Sequence, residues 1–406
     1  MIKAAPRKDH IRIIWIAAIG VILMAVFVQT YRPYVTDHPL EGVAVPHAPT
    51  PNFTWQQWVS GEYQKKYEAW VNTHIGFRPV MVRVANQIHF SMFRQGVYSK
   101  EGTKVLVGKE HWLYEGASIR AYQWPGWRTD EELEKAVNKL AKLQQLMMEK
   151  RNIPVALVIA PSKPQIYPEY MDPTDQKKRM NVKESVFTDY QRVVPLFKAK
   201  NVLVSDGHAI LQRLKKETEH PFFPKSGMHW NDYAAFLVLK DLRKQINPIL
   251  QKPLPLPEIT RFETRPPERE DTDLAKLMNI YTTNAMLTNE MYPLVKPPDV
   301  ELDQRPRVLI IGDSFSYQLA YALKQYGMCH EVLIYDYFQT LRSYTGEIIE
   351  SKAEISLEEI FSSYDLIIIE NVENLIPEFG FGFVDEAIAY LEGATHPQSA
   401  LQSPSN

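Results

Sequence analysis

Apolar residues along this chain fall into three patterns, and each predicts a different kind of element. The first is an unbroken run from Ile13 to Val28, preceded by Lys3, Arg7, Lys8 and Arg12 and followed by Gln29-Thr-Tyr-Arg. Such a run with a basic flank predicts a membrane anchor over residues 13–30, with residues 1–12 in the cytoplasm and the remainder outside. A cleaved signal peptide is the competing reading; it calls for a small-x-small site close behind the apolar run, and none precedes Ala44. Residues 31–52, rich in Pro and His and without periodicity, read as an extended linker.

The second pattern is helical spacing. It fills a helical extension over 53–103, where Gln56 to Gln95 predicts two helices broken near Gly76, and it returns in the amphipathic stretch Glu131–Lys150. Between them, Lys104 to Tyr114 reads as two short strands around a Gly-Lys turn. The third pattern is the short, wholly apolar run: Val155–Ala160, Val202–Ser205, Arg307–Ile311 and Leu366–Ile369. These alternate with helical stretches at Ala209–Glu217, Asp232–Ile246 and Ser316–Tyr326. Apolar strands alternating with helices predict an α/β domain, a parallel sheet covered on both faces, over 104–392. Pro253 to Pro306, with a charged patch at Arg265–Asp273, reads as a long surface excursion that could border an active site, and 393–406 as a disordered polar tail.

Charge and cysteine content narrow the chemistry. With 46 basic and 48 acidic residues the chain has no field to draw it to nucleic acid. Its one cysteine, Cys329, has no partner for an internal disulfide, and no Cys/His spacing suggests a metal site, so neither metal nor cofactor is expected.

The candidate chemistry centres on Arg307-Val-Leu-Ile-Ile-Gly-Asp-Ser-Phe-Ser316. Ser314 follows a buried strand, at the carboxyl edge where α/β sheets collect reactive groups, and it opens a helix whose N–H groups could help hold an oxyanion. A helix cap is the competing role for Asp313 or Ser314. Two histidines compete as general base: His229, on the turn before the helix that begins near Asp232, and His208, just past a strand end with Asp206 two residues before it. Asn371 ends the last strand and is a candidate oxyanion donor beside the Ser314 N–H, with a turn or cap as its other role. Lys163 and Tyr167 follow the strand ending at Ala160 and are candidates for substrate contact, with solvated surface as the alternative. Trp112, Tyr114, Trp124 and Trp127 have the faces to stack on sugars, or to fill a core.

Several segments together resemble the SGNH-type O-acetyltransferases of alginate and related bacterial exopolysaccharides, the AlgJ/AlgX type, over nearly all of the chain beyond the anchor. They are Ser60-Gly-Glu-Tyr-Gln-Lys-Lys-Tyr-Glu-Ala-Trp with Gly76-Phe-Arg, Val107-Gly-Lys-Glu-His-Trp-Leu-Tyr, Ala160-Pro-Ser-Lys-Pro-Gln-Ile-Tyr-Pro-Glu, Met228-His-Trp-Asn, Gly312-Asp-Ser-Phe-Ser and Ile369-Glu-Asn-Val-Glu373, in that order. The resemblance implies an SGNH-hydrolase-like sheet with Ser314 as nucleophile and His229 as base; Trp230, next to the base, is a further candidate for substrate contact. It also exposes a departure. Where the family pattern reads Asp-x-His-Trp, this chain has Gly227-Met228-His229-Trp230, so the acid must come from elsewhere: Asp206 is the first candidate, Asp232 the second, and a backbone carbonyl the third.

What the resemblance implies overall is an anchored, extracytoplasmic O-acetyltransferase. It would take acetyl from a multi-pass membrane O-acyltransferase and place it, through a serine ester, on hydroxyls of a polysaccharide. A glycan acetyl esterase and a non-catalytic glycan-binding subunit are the alternatives.

Overall fold

The computed structural model describes residues 7–36, 38–42, 48–98, 104–124, 126, 128–180, 187–352 and 354–393. The expected tail from residue 394, residues 1–6 of the expected cytoplasmic end, and Trp127 lie outside that set. The chain divides into two compact units, Met1–Val97 with Lys276–Thr283, and Tyr98–Ala275 with Asn284–Asn406.

The first unit holds helices α1 (Arg7–Tyr31), α2 (Trp55–Ser60), α3 (Glu62–His74) and α4 (Arg78–Phe93). Within α1, His10–Tyr31 is long and apolar enough to cross a membrane, alone in this among the described residues. Its top is tied to the unit: Tyr31 packs on Trp70 at 5.5 Å, and the Thr30 hydroxyl accepts the Gly76 N–H at 2.8 Å. The stretch from Gln56 to Gln95 breaks twice, at Gly61 as well as near Gly76, because a cap at each end of α2 isolates a short helix that periodicity alone runs into the next. Among the described residues of 32–52 there is no helix or strand, yet the segment is not loose: Arg83 donates to the carbonyls of His38 and Pro39.

The second unit is built on a seven-stranded sheet. In chain order the strands are β1 (Val155–Ala160), β2 (Val204–Asp206), β3 (Arg307–Gly312), β4 (Glu331–Asp336), β5 (Thr340–Ser343), β6 (Ile348–Ser351) and β7 (Leu366–Val372), arranged β6-β5-β4-β3-β7-β1-β2. The five strands from β4 to β2 are parallel, and β5 and β6 extend the β4 edge as an antiparallel hairpin. Strand β4 and the hairpin were not expected. Glu331-Val-Leu-Ile-Tyr-Asp offers only a three-residue aliphatic run between charged ends, which is too little to mark a strand by pattern.

The long apolar runs follow from burial on both faces. Alternate residues of β1, β3 and β7 divide between two cores: Ala156, Val158, Val308, Ile310 and Ile368 face helices α6 (Asp232–Ile246) and α7 (Ser316–Gln325), while Leu157, Ile159, Leu309, Ile311, Ile367 and Ile369 face α5 (Asp130–Arg151) and α8 (Phe383–Leu391). The helices begin where side chains supply caps. Thr129 and Glu132 form a capping box at α5, and the Asn231 carboxamide accepts the Ala234 N–H at 2.9 Å to start α6. The segment Pro253–Pro306 is more ordered than a plain excursion. Glu258–Arg265 pairs antiparallel with Glu290–Lys296, and a short helix, Asp273–Leu277, lies between them in sequence.

The strand register aligns Gly312 with Asp336, Val372 with Ala160, and Ile159 with Asp206, so the loops after β3, β7, β1 and β2 leave from one edge. At that edge β3 and β7 approach closely. A Cβ on Gly312 would lie 2.4 Å from the Ser316 hydroxyl oxygen and 2.7 Å from the Glu370 carbonyl. Gly312→Ala is therefore expected to destabilise the fold by about 2 kcal/mol. Urea unfolding measures it, and an unchanged midpoint would contradict the packing described.

Candidate active site

Ser314 sits on the turn between β3 and α7, and the turn is fixed by the residue before it. The Asp313 carboxylate accepts the Phe315 N–H at 2.9 Å and, across the strand gap, the Val372 N–H at 2.8 Å; its carbonyl accepts the Ser316 N–H at 3.0 Å. Asp313 thus takes the turn role, leaving the Ser314 side chain partly exposed. Below it, the Ser316 hydroxyl donates to Glu370 at 2.8 Å. Asp313 and Glu370 are a buried carboxyl pair. Burial raises Asp313, against the pull of the Val372 and Phe315 N–H groups, and burial together with the Asp313 charge raises Glu370 further, so that Glu370 keeps the proton.

His229 arrives from the loop that precedes α6. Its Nε2 lies 2.8 Å from Ser314 Oγ, and its Nδ1 lies 2.7 Å from Asp273 Oδ2. A carboxylate on Nδ1 places the ring proton there, so Nε2 is the acceptor for the serine hydroxyl. Burial opposes protonation of the ring, but the Asp273 carboxylate outweighs it, with Asp313 and Glu270 adding to the effect, and the net pKa is raised. The ring also meets Phe315 edge-on at 4.7 Å.

The acid at Nδ1 is therefore Asp273, from the charged patch of the proline-rich segment, and neither of the two aspartates expected there. Asp206 caps the helix after β2 by accepting the Ala209 N–H at 3.0 Å, and it takes the Tyr190 hydroxyl at 2.8 Å. Asp232 is buried against Arg269, and burial pushes it up to about 7, with Arg269 resisting. The structure also shows why position 227 is glycine. A Cβ there would stand 2.7 Å from the Glu270 carbonyl and 3.0 Å from the Asp271 backbone. The backbone of 270–271 fills the space that an aspartate at 227 would need, and the same segment delivers Asp273, whose Oδ1 accepts the Met228 N–H at 2.8 Å. Ser226 ties the two stretches together, donating to the Asp271 carbonyl at 2.7 Å and accepting the Ala275 N–H at 3.1 Å.

The three residues expected to touch substrate lie beneath the histidine loop instead. Lys163 is 2 % exposed, and its ammonium donates to the carbonyls of Leu113 (2.8 Å), Pro224 (2.7 Å), Lys225 (3.0 Å) and Gly227 (2.7 Å). Burial pushes it down to about 7, while Asp273 and Glu290 pull the other way. Tyr167 is buried, accepts the Phe222 N–H at 3.0 Å and packs on Trp112. Trp230 is fully buried and donates from Nε1 to the Phe315 carbonyl at 3.0 Å, pinning the serine turn to the histidine loop.

Asn371 is not turned toward Ser314. Along β7, Glu370 faces α7 and Asn371 the opposite side, where its amide donates to the Glu378 carbonyl at 3.2 Å. His208, the competing base, meets Glu373 and stacks on Tyr190 at 4.3 Å. Of the aromatic candidates, Tyr114 is buried, Trp112 stacks on Tyr170 at 4.3 Å, and Trp124 is exposed. No group of side chains suited to a metal ion occurs among the described residues.

Comparison with known proteins adds the following. Among solved structures, the O-acetyltransferase domain of Pseudomonas putida AlgJ is 18 % identical over 72 % of this chain and 99 % of its own, with a TM-score of 0.47. Pseudomonas aeruginosa AlgX is 14 % identical over 72 % of this chain and 68 % of its own, with a TM-score of 0.46. Bacillus cereus PatB1 is 12 % identical over 66 % of this chain and 95 % of its own, with a TM-score of 0.38. No curated protein matches the chain. Residues 105–328, more than half of the chain, match the family described as SGNH hydrolase-like domain, acetyltransferase AlgX, and the chain belongs to that family.

Proposed function

We propose that the protein is a membrane-anchored, extracytoplasmic O-acetyltransferase that carries acetyl on Ser314 and passes it to hydroxyls of a polysaccharide. The observation that carries this reading is the hydrogen-bond chain Ser314 Oγ, His229, Asp273, with links of 2.8 and 2.7 Å. Nothing in that chain is specific to water as the acceptor, and membership in an acetyltransferase family favours transfer over hydrolysis.

The reaction has two halves. In the first, Ser314 Oγ attacks the acetyl carbonyl of an oxygen or sulfur ester donor while His229 Nε2 takes the hydroxyl proton. The resulting imidazolium is stabilised by Asp273, and its proton goes to the leaving group as the donor bond breaks. In the second, a sugar hydroxyl attacks the acetyl-serine, its proton passes to His229, and then returns to Ser314 Oγ as the ester bond to the serine breaks. Asp273 keeps its charge throughout, fixing the tautomer and the ring orientation.

The anchor supports the setting. A helix of 22 apolar-rich residues, His10–Tyr31, is about 33 Å long, close to the hydrocarbon thickness of a bilayer. The basic residues before it favour a cytoplasmic N-terminus, which places Ser314 outside. Acetyl-coenzyme A is a cytoplasmic donor, so acetyl must be delivered across the membrane, and a multi-pass membrane O-acyltransferase is the partner whose chemistry fits.

Three outcomes are expected. A sulfonyl fluoride or phosphonate should label the wild type at Ser314 and leave Ser314→Ala unmodified, read by peptide mass spectrometry; an unlabelled wild type would favour a binding subunit. Asp273→Asn should lower kcat by about 1,000-fold or more, since the ring loses its oriented tautomer. The pH profile carries a sign. His229 acts as a base only when neutral, and its raised pKa sets the acid limb of kcat/KM above the ordinary histidine range. In the residual activity of Asp273→Asn that limb should move to lower pH; a limb that stays in place would contradict the coupling.

A further inference from the structure

An ester-forming serine needs donors for the oxyanion that develops on the acetyl carbonyl, and with the Asn371 amide committed to Glu378 on the far side of β7, the Ser314 N–H lacks the partner expected for it. The other strand beside β3 supplies one. Strand β4 ends at Asp336, in register with Gly312, and the next residue, Tyr337, donates its backbone N–H to the Gly312 carbonyl at 2.8 Å. This keeps Tyr337 level with the serine turn, one strand to the side away from β7.

The backbone there is unusual for its residues. Tyr337 and Phe338 both adopt positive φ, 48° and 53°, a region that aromatic side chains rarely occupy. The cost is held by Phe338, which is 2 % exposed and packed on Tyr335 and Phe383. With Phe338 buried, Tyr337 is left at the surface, 42 % exposed, its ring edge-on to Phe381 at 5.0 Å. Its phenol is close enough to Ser314 for the serine's backbone N–H and side chain both to favour the ionised phenol, against the stronger effect of burial.

We propose that the Tyr337 hydroxyl is a donor to the oxyanion formed on the acetyl group at Ser314. This rests on the reading of Ser314 as the nucleophile. A substrate carbonyl oxygen held by the Ser314 N–H lies on the side of the serine turn where Tyr337 follows β4. The hydroxyl then donates to the same oxygen that the Ser314 N–H holds. Burial and the Asp313 charge raise the phenol pKa, so it enters the reaction with its proton.

The test uses Tyr337→Phe, which keeps the ring and its contact with Phe381, with Ser314→Ala beside it. p-Nitrophenyl acetate reports turnover. A methyl trifluoromethyl ketone, which adds the serine oxygen to form an anionic hemiketal, reports oxyanion binding. The expected result is a fall in kcat of about 100-fold with KM within about twofold, and inhibition by the ketone weakened in proportion. A wild-type kcat with wild-type ketone inhibition would overturn the donor role, as would a rise in KM alone, while an inactive Ser314→Ala would leave the nucleophile reading intact. Full activity in Ser314→Ala would instead remove the nucleophile and, with it, the oxyanion assigned to Tyr337. Should Tyr337→Phe lower the melting temperature, fluorotyrosine at 337 keeps the fold and changes only phenol acidity; kcat should then change with KM held, and an unchanged kcat would overturn the proposal.

Discussion

The Asp273 carboxylate is the constraint on which the arrangement around Ser314 depends. One oxygen accepts the Met228 and Leu274 N–H groups and the other accepts His229 Nδ1, so a single side chain fixes the backbone of the histidine loop, the start of the next helix and the tautomer of the ring. Charged acceptors make such bonds shorter and stronger than neutral ones. The grip is possible because Gly227 lets the backbone of 270–271 come in close, and an acid reaching the imidazole from 44 residues further along the chain takes the place of one two residues before it.

From below, Lys163 holds the same loop. Its four carbonyl partners come from Leu113 and from Pro224, Lys225 and Gly227, and with three N–H groups the ammonium shares at least one between acceptors. A buried cation is costly unless its donors are satisfied, and here they are. The serine turn is held by the complementary device, a buried carboxyl pair. Asp313 accepts N–H groups from its own turn and from β7, and protonated Glu370 removes the second negative charge that the site could not stably hold. Trp230 joins the two halves through the Phe315 carbonyl. The residues that look most suited to binding a substrate are thus the ones that position the serine and histidine.

How much of this was legible in the sequence depended on whether the signal was local. Strands β1, β3 and β7 are continuous apolar runs, and α6 has the expected bounds, Asp232–Ile246, because a cap and a clean helical period mark it. Ser314 and His229 each stand in a short motif, and the structure brings them together. Asp273 gave no such signal: it lies in a segment without periodicity, and only the packing of that segment against Gly227 selects it. Lys163 illustrates a different limit. Its place after β1 was readable, but its four buried carbonyls come from segments 50 to 64 residues away. For Asn371, alternation along β7 separates it from Glu370, yet which face looks toward Ser314 is decided by where α7 packs. Tyr337 was hidden with β4, whose aliphatic run is too short to announce a strand.

The most direct test of the central claim is whether acetyl resides on Ser314 during turnover. The protein is incubated with an acetyl ester donor in the absence of acceptor, quenched in acid and mapped by peptide mass spectrometry, with a second sample chased by glycan before quenching. The account predicts one acetyl group on the peptide carrying Ser314, lost on the chase as acetylated glycan appears. Acetyl on a different residue, or glycan acetylation with Ser314 never modified, would contradict it.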